Sequence, residues 1–215
     1  EEIPTTLRWL EEGYQNGVPA AVGVHRNRSF LSVCPQVAGS YLALNDSDKV
    51  PEMFYAFMNH ASRTKTWSEI VSPEDRIGSG RIPDIRAVSG YVLLLRNMIL
   101  WENGGQLHLA PATERSWLYP GCTISVVDAP SLYGLITFNL QRISPETLLG
   151  TLIVPDQEKH VDVHVHLRLP KESRVREVIL NGHRVPLRDG AIVFPSSGGI
   201  YDIHADITSN HLDEK

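Results

Sequence analysis

The chain has 215 residues, of which 42% are hydrophobic and 21% are charged, and its formal net charge is -5. This composition is typical of a globular protein and leaves room for one large domain or two small ones. The acidic balance argues against nucleic acid as a partner. No apolar run reaches the ~18 residues that a transmembrane helix requires, so we do not expect a membrane partner either.

Helical periodicity runs through the first hundred residues. Apolar side chains three and four positions apart predict four helices, over 5–15, 30–44, 47–60 and 85–101. Pro35 lies about a turn inside the second of these, which places its start near Cys34. Asp84 follows Pro83 and is expected to cap the fourth helix.

The fourth predicted helix is the most apolar. Val88, Val92, Leu95 and Ile99 form one stripe, and further leucines widen it, so we expect this helix to be buried on most sides. A loop of some twenty residues, 61–83, precedes it, and loops of that length are usually functional or disordered. Its Gly-Ser-Gly lacks the lysine of a phosphate-binding loop, and we expect no cofactor.

From Gln106 the period becomes two, as in strands with one buried face. Alternation or short apolar runs predict strands around 107–109, 124–126, 134–140, 148–154, 161–167, 175–180 and 200–207. Asn181-Gly182 lies between Val-Ile-Leu and His-Arg-Val and predicts a tight hairpin. Several short strands separated by turns favour an antiparallel β-sandwich.

One of these strands carries histidines. His160, Asp162, His164 and His166 would lie on the same face. Such spacing occurs in metal sites, but no cysteine or second carboxylate cluster joins it in sequence, and one face of a sandwich strand is normally solvated. We therefore expect a solvated face and no metal. The cysteines, Cys34 and Cys122, are expected to be buried free thiols.

The predicted architecture is α+β in two parts, with helices in 1–104 and a β-sandwich in 105–215. Long connections do not suit the short turns of a four-helix bundle, whereas a toroid of helical hairpins accommodates them. A closed toroid of twelve helices needs roughly three hundred residues, and only about a hundred precede the strands. We therefore expect a partial (α/α)6 toroid that a missing amino-terminal part, or a second copy of the chain, would complete.

Ordered motifs give the chain a family resemblance. The stretches that carry it are Asn59–Ser62, Thr66–Glu69, Asp84–Trp101, Leu107–Ala112, Trp117–Gly121, Asp128–Pro130 and Tyr133–Gly134. In this order they resemble the carboxy-terminal part of six-hairpin glycosidases, including the α-L-rhamnosidase-like group. The resemblance covers roughly residues 54–140. It implies the last barrel helices followed by a β-sandwich.

The resemblance also implies inverting hydrolysis of a glycosidic bond. Such enzymes use one carboxylic acid to protonate the leaving oxygen and one carboxylate to activate water. By position in the Trp-x-Glu loop, Glu69 would be the base, and its acid partner would lie upstream of Glu1. The segment 78–84 departs from the Asn-His-like element of rhamnosidases, so rhamnose in particular is not implied.

Four residues are expected to bind the substrate: Trp67, His60, Arg81 and Asp84. Each has an alternative. Trp67 could stack on a sugar or pin the loop, and Asp84 is first a helix cap. Arg81, together with Arg86, could bind the carboxylate of a uronic acid. His60 ends a helix, where a structural hydrogen bond is the simpler role.

Glu69 itself could be a solvated carboxylate, and Glu74 and Asp75 are rivals for its role. The sequence therefore predicts a fragment of a glycoside hydrolase that acts on a carbohydrate and is inactive alone. The alternative is a non-catalytic carbohydrate-binding or structural module. Apolar surface left exposed between Val88 and Ile99 would favour the fragment, and complete coverage would favour the module.

Overall fold

The structure is a computed structural model that describes residues 2–15, 17–19, 28–72 and 77–209. The chain divides into two compact units, Glu1–Ile99 and Leu100–Lys215. The first is mainly helical and the second is made of strands, so the fold is mixed α and β with largely antiparallel sheets. No described helix is long and apolar enough to span a membrane.

The first unit contains the four predicted helices with small shifts at their ends. They are α1 (Glu2–Glu12), α2 (Cys34–Ala43), α3 (Lys49–Asn59) and α4 (Ile85–Ile99). Pro35 lies in the first turn of α2, where its missing N–H costs no helical hydrogen bond. Four described helices do not make a ring of twelve, so the (α/α)6 toroid remains a prediction.

Five two-residue strands connect these helices. They are β1 (Tyr14–Gln15), β2 (Val18–Pro19), β3 (Ser29–Phe30), β4 (Ile70–Val71) and β5 (Gly78–Ser79). β1 pairs with β2, and β4 lies between β3 and β5 in an antiparallel sheet. The predicted loop over 61–83 therefore contains two short strands that were not predicted from the sequence. Strands of two residues are too short to show the alternation by which strands are predicted.

The expected burial of α4 on most sides is also wrong. The helix buries Ala87, Leu94 and Met98. Two members of its apolar surface are open to solvent, with exposed fractions of 61% for Val92 and 58% for Leu93. Ile85, in the first turn, is 73% exposed. This exposure is the outcome that favours the fragment interpretation over the self-contained module.

The second unit consists of two sheets and a short 3-10 helix, Arg115–Leu118. Its strands are β6 (Leu100–Asn103), β7 (Gln106–Leu109), β8 (Thr123–Ser131), β9 (Gly134–Arg142), β10 (Thr147–Val154), β11 (Val161–His166), β12 (Ser173–Leu180), β13 (His183–Val185), β14 (Leu187–Arg188), β15 (Ala191–Ser196) and β16 (Gly199–Ser209). One sheet has the order β13-β12-β16-β10-β9-β8 and the other β14-β15-β11-β7-β6. Buried and exposed residues alternate along β10 and β11, so each sheet has one buried face. This burial is the pattern expected of a sandwich.

The predicted hairpin at Asn181-Gly182 is confirmed. These residues connect β12 to β13, with φ of 47° and 80°. Positive φ at both central positions is the signature of a type I′ turn, which matches the twist of the flanking strands.

One strand pairing contradicts the expected antiparallel sheet. β7 and β11 are parallel, with Leu107 opposite Val163 and His108 opposite His164. Parallel neighbours need a long connection, and here β8, β9 and β10 intervene between them.

Two smaller predictions compare with the structure as follows. The predicted boundary at 104/105 lies in the turn Gly104-Gly105 between β6 and β7, both of which belong to the second unit. The two cysteines are free, and Cys34 is buried, but Cys122 is exposed, contrary to expectation.

Candidate functional site

Glu69 is held at the edge of the small sheet by backbone contacts to a neighbouring segment. Its N–H donates to the Arg81 carbonyl at 2.9 Å, and the Arg81 N–H donates to Glu69 Oε2 at 3.3 Å. The Glu69 side chain retains 22% exposure, so the carboxylate is partly open to solvent. The backbone that precedes α4 therefore fixes its position.

Arg86 joins two carboxylates at this place. Its Nη2 donates to Glu69 Oε1 at 2.7 Å, and its Nε donates to Asp84 Oδ1 at 3.2 Å. The N–H of Arg81 and the guanidinium of Arg86 together hold the pKa of Glu69 below its ordinary value. Glu69 is therefore ionised at neutral pH. Because a general acid must hold its proton at the working pH, this environment suits a base or an ion-pair partner and not an acid.

Asp84 has a structural position that agrees with its predicted role as a cap. Its Oδ1 accepts from the N–H of Arg86 at 3.2 Å, which satisfies one free donor at the start of α4. Its own N–H donates to the Trp67 carbonyl at 2.8 Å. The side chain is only 2% exposed, so a bound sugar would reach it only through Arg86 or after a rearrangement.

Trp67 lies in the core of the helical unit. The residue is 3% exposed, and its Nε1 donates to the Phe57 carbonyl at 2.9 Å. The ring stacks on Phe57 with a centroid distance of 4.7 Å and contacts Tyr91 at 5.1 Å. These contacts hold the loop against the helices, which is the structural role considered for Trp67. The sugar-stacking role stays a prediction, and it would require this cluster to open.

The remaining predicted residues are His60 and Arg81. His60 follows the last residue of α3, and its N–H donates to the Phe57 carbonyl at 3.2 Å. Arg81 is exposed and contributes backbone groups to Glu69. The structure thus brings Glu69, Arg81 and Asp84 into one network. The rival carboxylates Glu74 and Asp75 lie outside the described residues.

Two glycines allow this close approach of β5 to the Ser68–Ile70 backbone. A Cβ at Gly80 would meet Glu69 Oε2 at 2.9 Å, and one at Gly78 would meet Ser68 Oγ at 2.5 Å. Gly80 also has a φ of 77°, which disfavours residues with a side chain. The two glycines are visible in the sequence. The residues that lie against them, Ser68 and Glu69, are identified only by the folded structure.

Gly80→Ala is therefore expected to displace Glu69 and to lower the free energy of unfolding by about 1–2 kcal/mol from backbone strain alone. Chemical denaturation of the wild type and variant measures the loss. Gly104→Ala is the matched control, because Gly104 also has a positive φ of 57° but nothing within 4 Å of an added Cβ. Equal losses in both variants would show that contact with Glu69 contributes nothing.

The structure also shows a cavity that sequence reasoning missed. It has a volume of about 240 Å³ and is lined by Glu11, Tyr14, Gly17, Tyr41, Lys49, Glu52 and Met53. The Tyr41 hydroxyl donates to Glu11 Oε1 at 2.8 Å, and burial raises the pKa of Tyr41. None of the predicted site residues lines this cavity.

The second unit contains a cluster of histidines where the sequence predicts a solvated face. His164 and His166 are half-buried and contact His108, which precedes them on another strand. Of the four residues predicted to lie on that face, His160 and Asp162 are exposed as expected.

Comparisons with known proteins give distant structural neighbours only. No protein-family model and no curated protein matches the sequence. Among solved structures, a β-arabinofuranosidase of the GH127 group matches with 12% identity and a TM-score of 0.40, over 92% of this chain and 38% of that one. An α-L-rhamnosidase from Dictyoglumus thermophilum matches with 8% identity and a TM-score of 0.42, over 82% of this chain and 20% of that one.

Both neighbours are glycoside hydrolases, and this chain spans well under half of the length of either. At these scores and identities the likeness does not establish a shared fold.

Proposed function

We propose that this chain is part of a glycoside hydrolase and that Glu69 is the general base of an inverting mechanism. The observation that carries the proposal is a carboxylate that is both ionised and accessible. Glu69 Oε1 accepts a hydrogen bond from the Arg86 guanidinium at 2.7 Å, and Oε2 accepts one from the Arg81 N–H. The side chain of Glu69 remains 22% exposed. A base that activates water must be ionised before the reaction and must be reachable by that water.

The same environment favours a general acid elsewhere in the protein. Inversion requires an acid about 6.5–9.5 Å from the base, with its pKa raised so that it keeps its proton. Asp84 is joined to Glu69 through Arg86, but it is buried as the cap of α4 and contacts the same cation. We therefore propose that the acid is not in the described network, and that the chain alone is inactive.

The helical surface supports the fragment interpretation. Val92 and Leu93 are largely exposed on α4, as is Ile85. Apolar side chains of this size contribute about 1.5–3 kcal/mol each when they are buried. Further barrel helices, from an amino-terminal part of the protein or from a second copy, would cover this surface in the proposed enzyme.

The alternative function is a non-catalytic carbohydrate-binding or structural module. The burial of Trp67 and the Glu69–Arg86–Asp84 network favour it, because both also have a purely structural explanation. In that case Glu69 fixes the segment before α4 and takes part in no reaction.

Glycosidase activity distinguishes the two functions. The longest natural form of the protein is assayed against a panel of aryl glycosides and oligosaccharides, with Glu69→Gln beside it. We expect kcat to fall by about a hundredfold or more in the variant, which is the lower end of the effect of a general base. Glu12→Gln, which neutralises an exposed carboxylate of α1, is the control and should retain activity. Activity that is equal in wild type and Glu69→Gln would reject Glu69 as the base.

A further inference from the structure

Three imidazole rings and an indole meet on one face of the five-stranded sheet. His108 on β7 is opposite His164 on β11 and opposite Trp101 on β6 in the strand register. The His108 ring centroid lies 4.5 Å from that of His164, 5.4 Å from that of His166 and 5.2 Å from that of Trp101. The parallel pairing of β7 with β11 creates this cluster.

Two nitrogens of the cluster face each other directly. His108 Nδ1 lies 3.1 Å from His166 Nε2, and His108 Nε2 lies 3.2 Å from Gln106 Oε1. An amide oxygen only accepts hydrogen bonds, so this second contact places the proton of His108 on Nε2. His108 Nδ1 therefore presents its lone pair toward His166.

The separation of these nitrogens is that of two ligands on one metal ion. Imidazole nitrogens bind first-row transition metals at about 2.0–2.1 Å, and angles between square-planar and tetrahedral values then separate the two nitrogens by roughly 2.9–3.4 Å. The observed 3.1 Å lies within this interval. A metal ion would replace the proton that His166 Nε2 now shares, and that proton would move to Nδ1 of the same ring, so that His166 stays a neutral imidazole.

Gln106 would then act as the outer partner of the site. Histidine ligands commonly donate their second ring N–H to a neighbouring acceptor, which fixes the ring orientation and its tautomer. The contact from His108 Nε2 to Gln106 Oε1 has this arrangement before any metal is bound.

One further observation agrees with a ligand at this place. His164 Nε2 is buried and has no hydrogen-bond partner among the described residues, so the cluster contains a ring nitrogen that no protein contact uses.

We propose that His108 and His166 form a binding site for a divalent transition metal ion. No group of three or more histidine, cysteine, aspartate or glutamate side chains within the described ranges could hold a metal ion, so the protein supplies two ligands and water completes the coordination. Affinity should follow the order of first-row metals, with Cu²⁺ bound more tightly than Ni²⁺ or Zn²⁺. Mg²⁺ and Ca²⁺ should not bind, because they prefer oxygen ligands. The proposal does not depend on the proposed hydrolase function.

Calorimetric titration of the chelator-treated full chain with Cu²⁺ at pH 7 tests the site. His108→Asn and His166→Asn should each weaken the tightest Cu²⁺ event by about tenfold or more, since each removes one of two ligands. His183→Asn is the matched control, because His183 is an exposed histidine of β13, and it should leave that event unchanged. Tight binding that survives both ligand variants would overturn the proposal.

A spectroscopic measurement on the wild type covers the case in which a variant does not fold. Electron paramagnetic resonance at one equivalent of Cu²⁺ counts the imidazoles on the ion. Coupling to two imidazole nitrogens supports the site. Coupling to one or none, or a spectrum that disappears in His183→Asn, overturns it.

Discussion

Trp67→Ala is expected to lower the free energy of unfolding of the helical unit by about 3–5 kcal/mol. The residue is 3% exposed, and its ring lies against Phe57 and Tyr91 at centroid distances of 4.7 Å and 5.1 Å. Alanine would leave a cavity in this aromatic cluster and would also leave the Phe57 carbonyl without the indole N–H that now donates to it. Chemical denaturation followed by far-ultraviolet circular dichroism measures the loss.

Trp67→Phe separates the two contributions. It keeps most of the aromatic packing and removes only the indole N–H, so we expect a smaller loss, about 1–3 kcal/mol. A loss in Trp67→Ala no larger than 1 kcal/mol would contradict the buried position. It would instead favour a mobile ring that is free to stack on a sugar, which is the alternative role of this residue.

Acidification from pH 6.5 to pH 5 is expected to destabilise the second unit by about 2–3 kcal/mol through His108 and His166. Burial first, and the neighbouring imidazoles second, lower the pKa of His108 to about 4 and that of His166 to about 3, and Arg168 adds to the effect on His166. Burial also lowers the pKa of His164, against an opposing effect of Asp162. The partial exposure of His108 reduces its share of the total.

The direction follows from the number of protons that each state binds. Well above pH 6.5 the histidines are neutral in both states and add no pH dependence. As the pH falls below 6.5, the unfolded chain gains protons that the folded unit does not, so stability declines. The decline from each histidine ends only near its folded pKa, about 4 for His108 and about 3 for His166.

The measurement is the slope of unfolding free energy against pH between 6.5 and 5, where most carboxylates have not yet gained protons. His166→Asn should reduce this slope, whereas His183→Asn, which changes an exposed histidine, should leave it close to that of the wild type. An identical slope in wild type and His166→Asn would show that the histidine cluster does not resist protonation.

Part of the candidate site could be predicted from the sequence because it depends on residues that are close together in the chain. Asp84 after Pro83 predicts a helix cap, and the cap is present as the contact from the Arg86 N–H. The Trp-x-Glu motif identifies Glu69 in the sequence, but no local pattern identifies its partner Arg86. Arg86 lies 17 residues away, and the approach depends on how the 61–83 segment folds back through β4 and β5. No local pattern in two-residue strands indicates that fold.

The histidine cluster likewise depends on a contact between residues far apart in the sequence. Alternation correctly placed His164 and His166 on one face of β11, but their partner His108 is more than fifty residues earlier, and nothing in the spacing predicts a parallel pair. This pairing leaves His164 and His166 half-buried, whereas the sequence predicts a solvated face. Pairing between distant strands is decided by the packing of the whole sheet, which a short sequence window does not contain.

The sequence by itself determined the features that depend on neighbours along the chain. These are the four helices, the alternation of the strands, the type I′ turn at Asn181-Gly182 and the cap at Asp84. Only the tertiary structure decided the burial of Trp67, the Glu69–Arg86 ion pair and the parallel pairing of β7 with β11. The physical reason is that hydrogen-bonding period and backbone conformation are local properties, whereas burial and ion pairing arise from contacts between segments far apart in the chain.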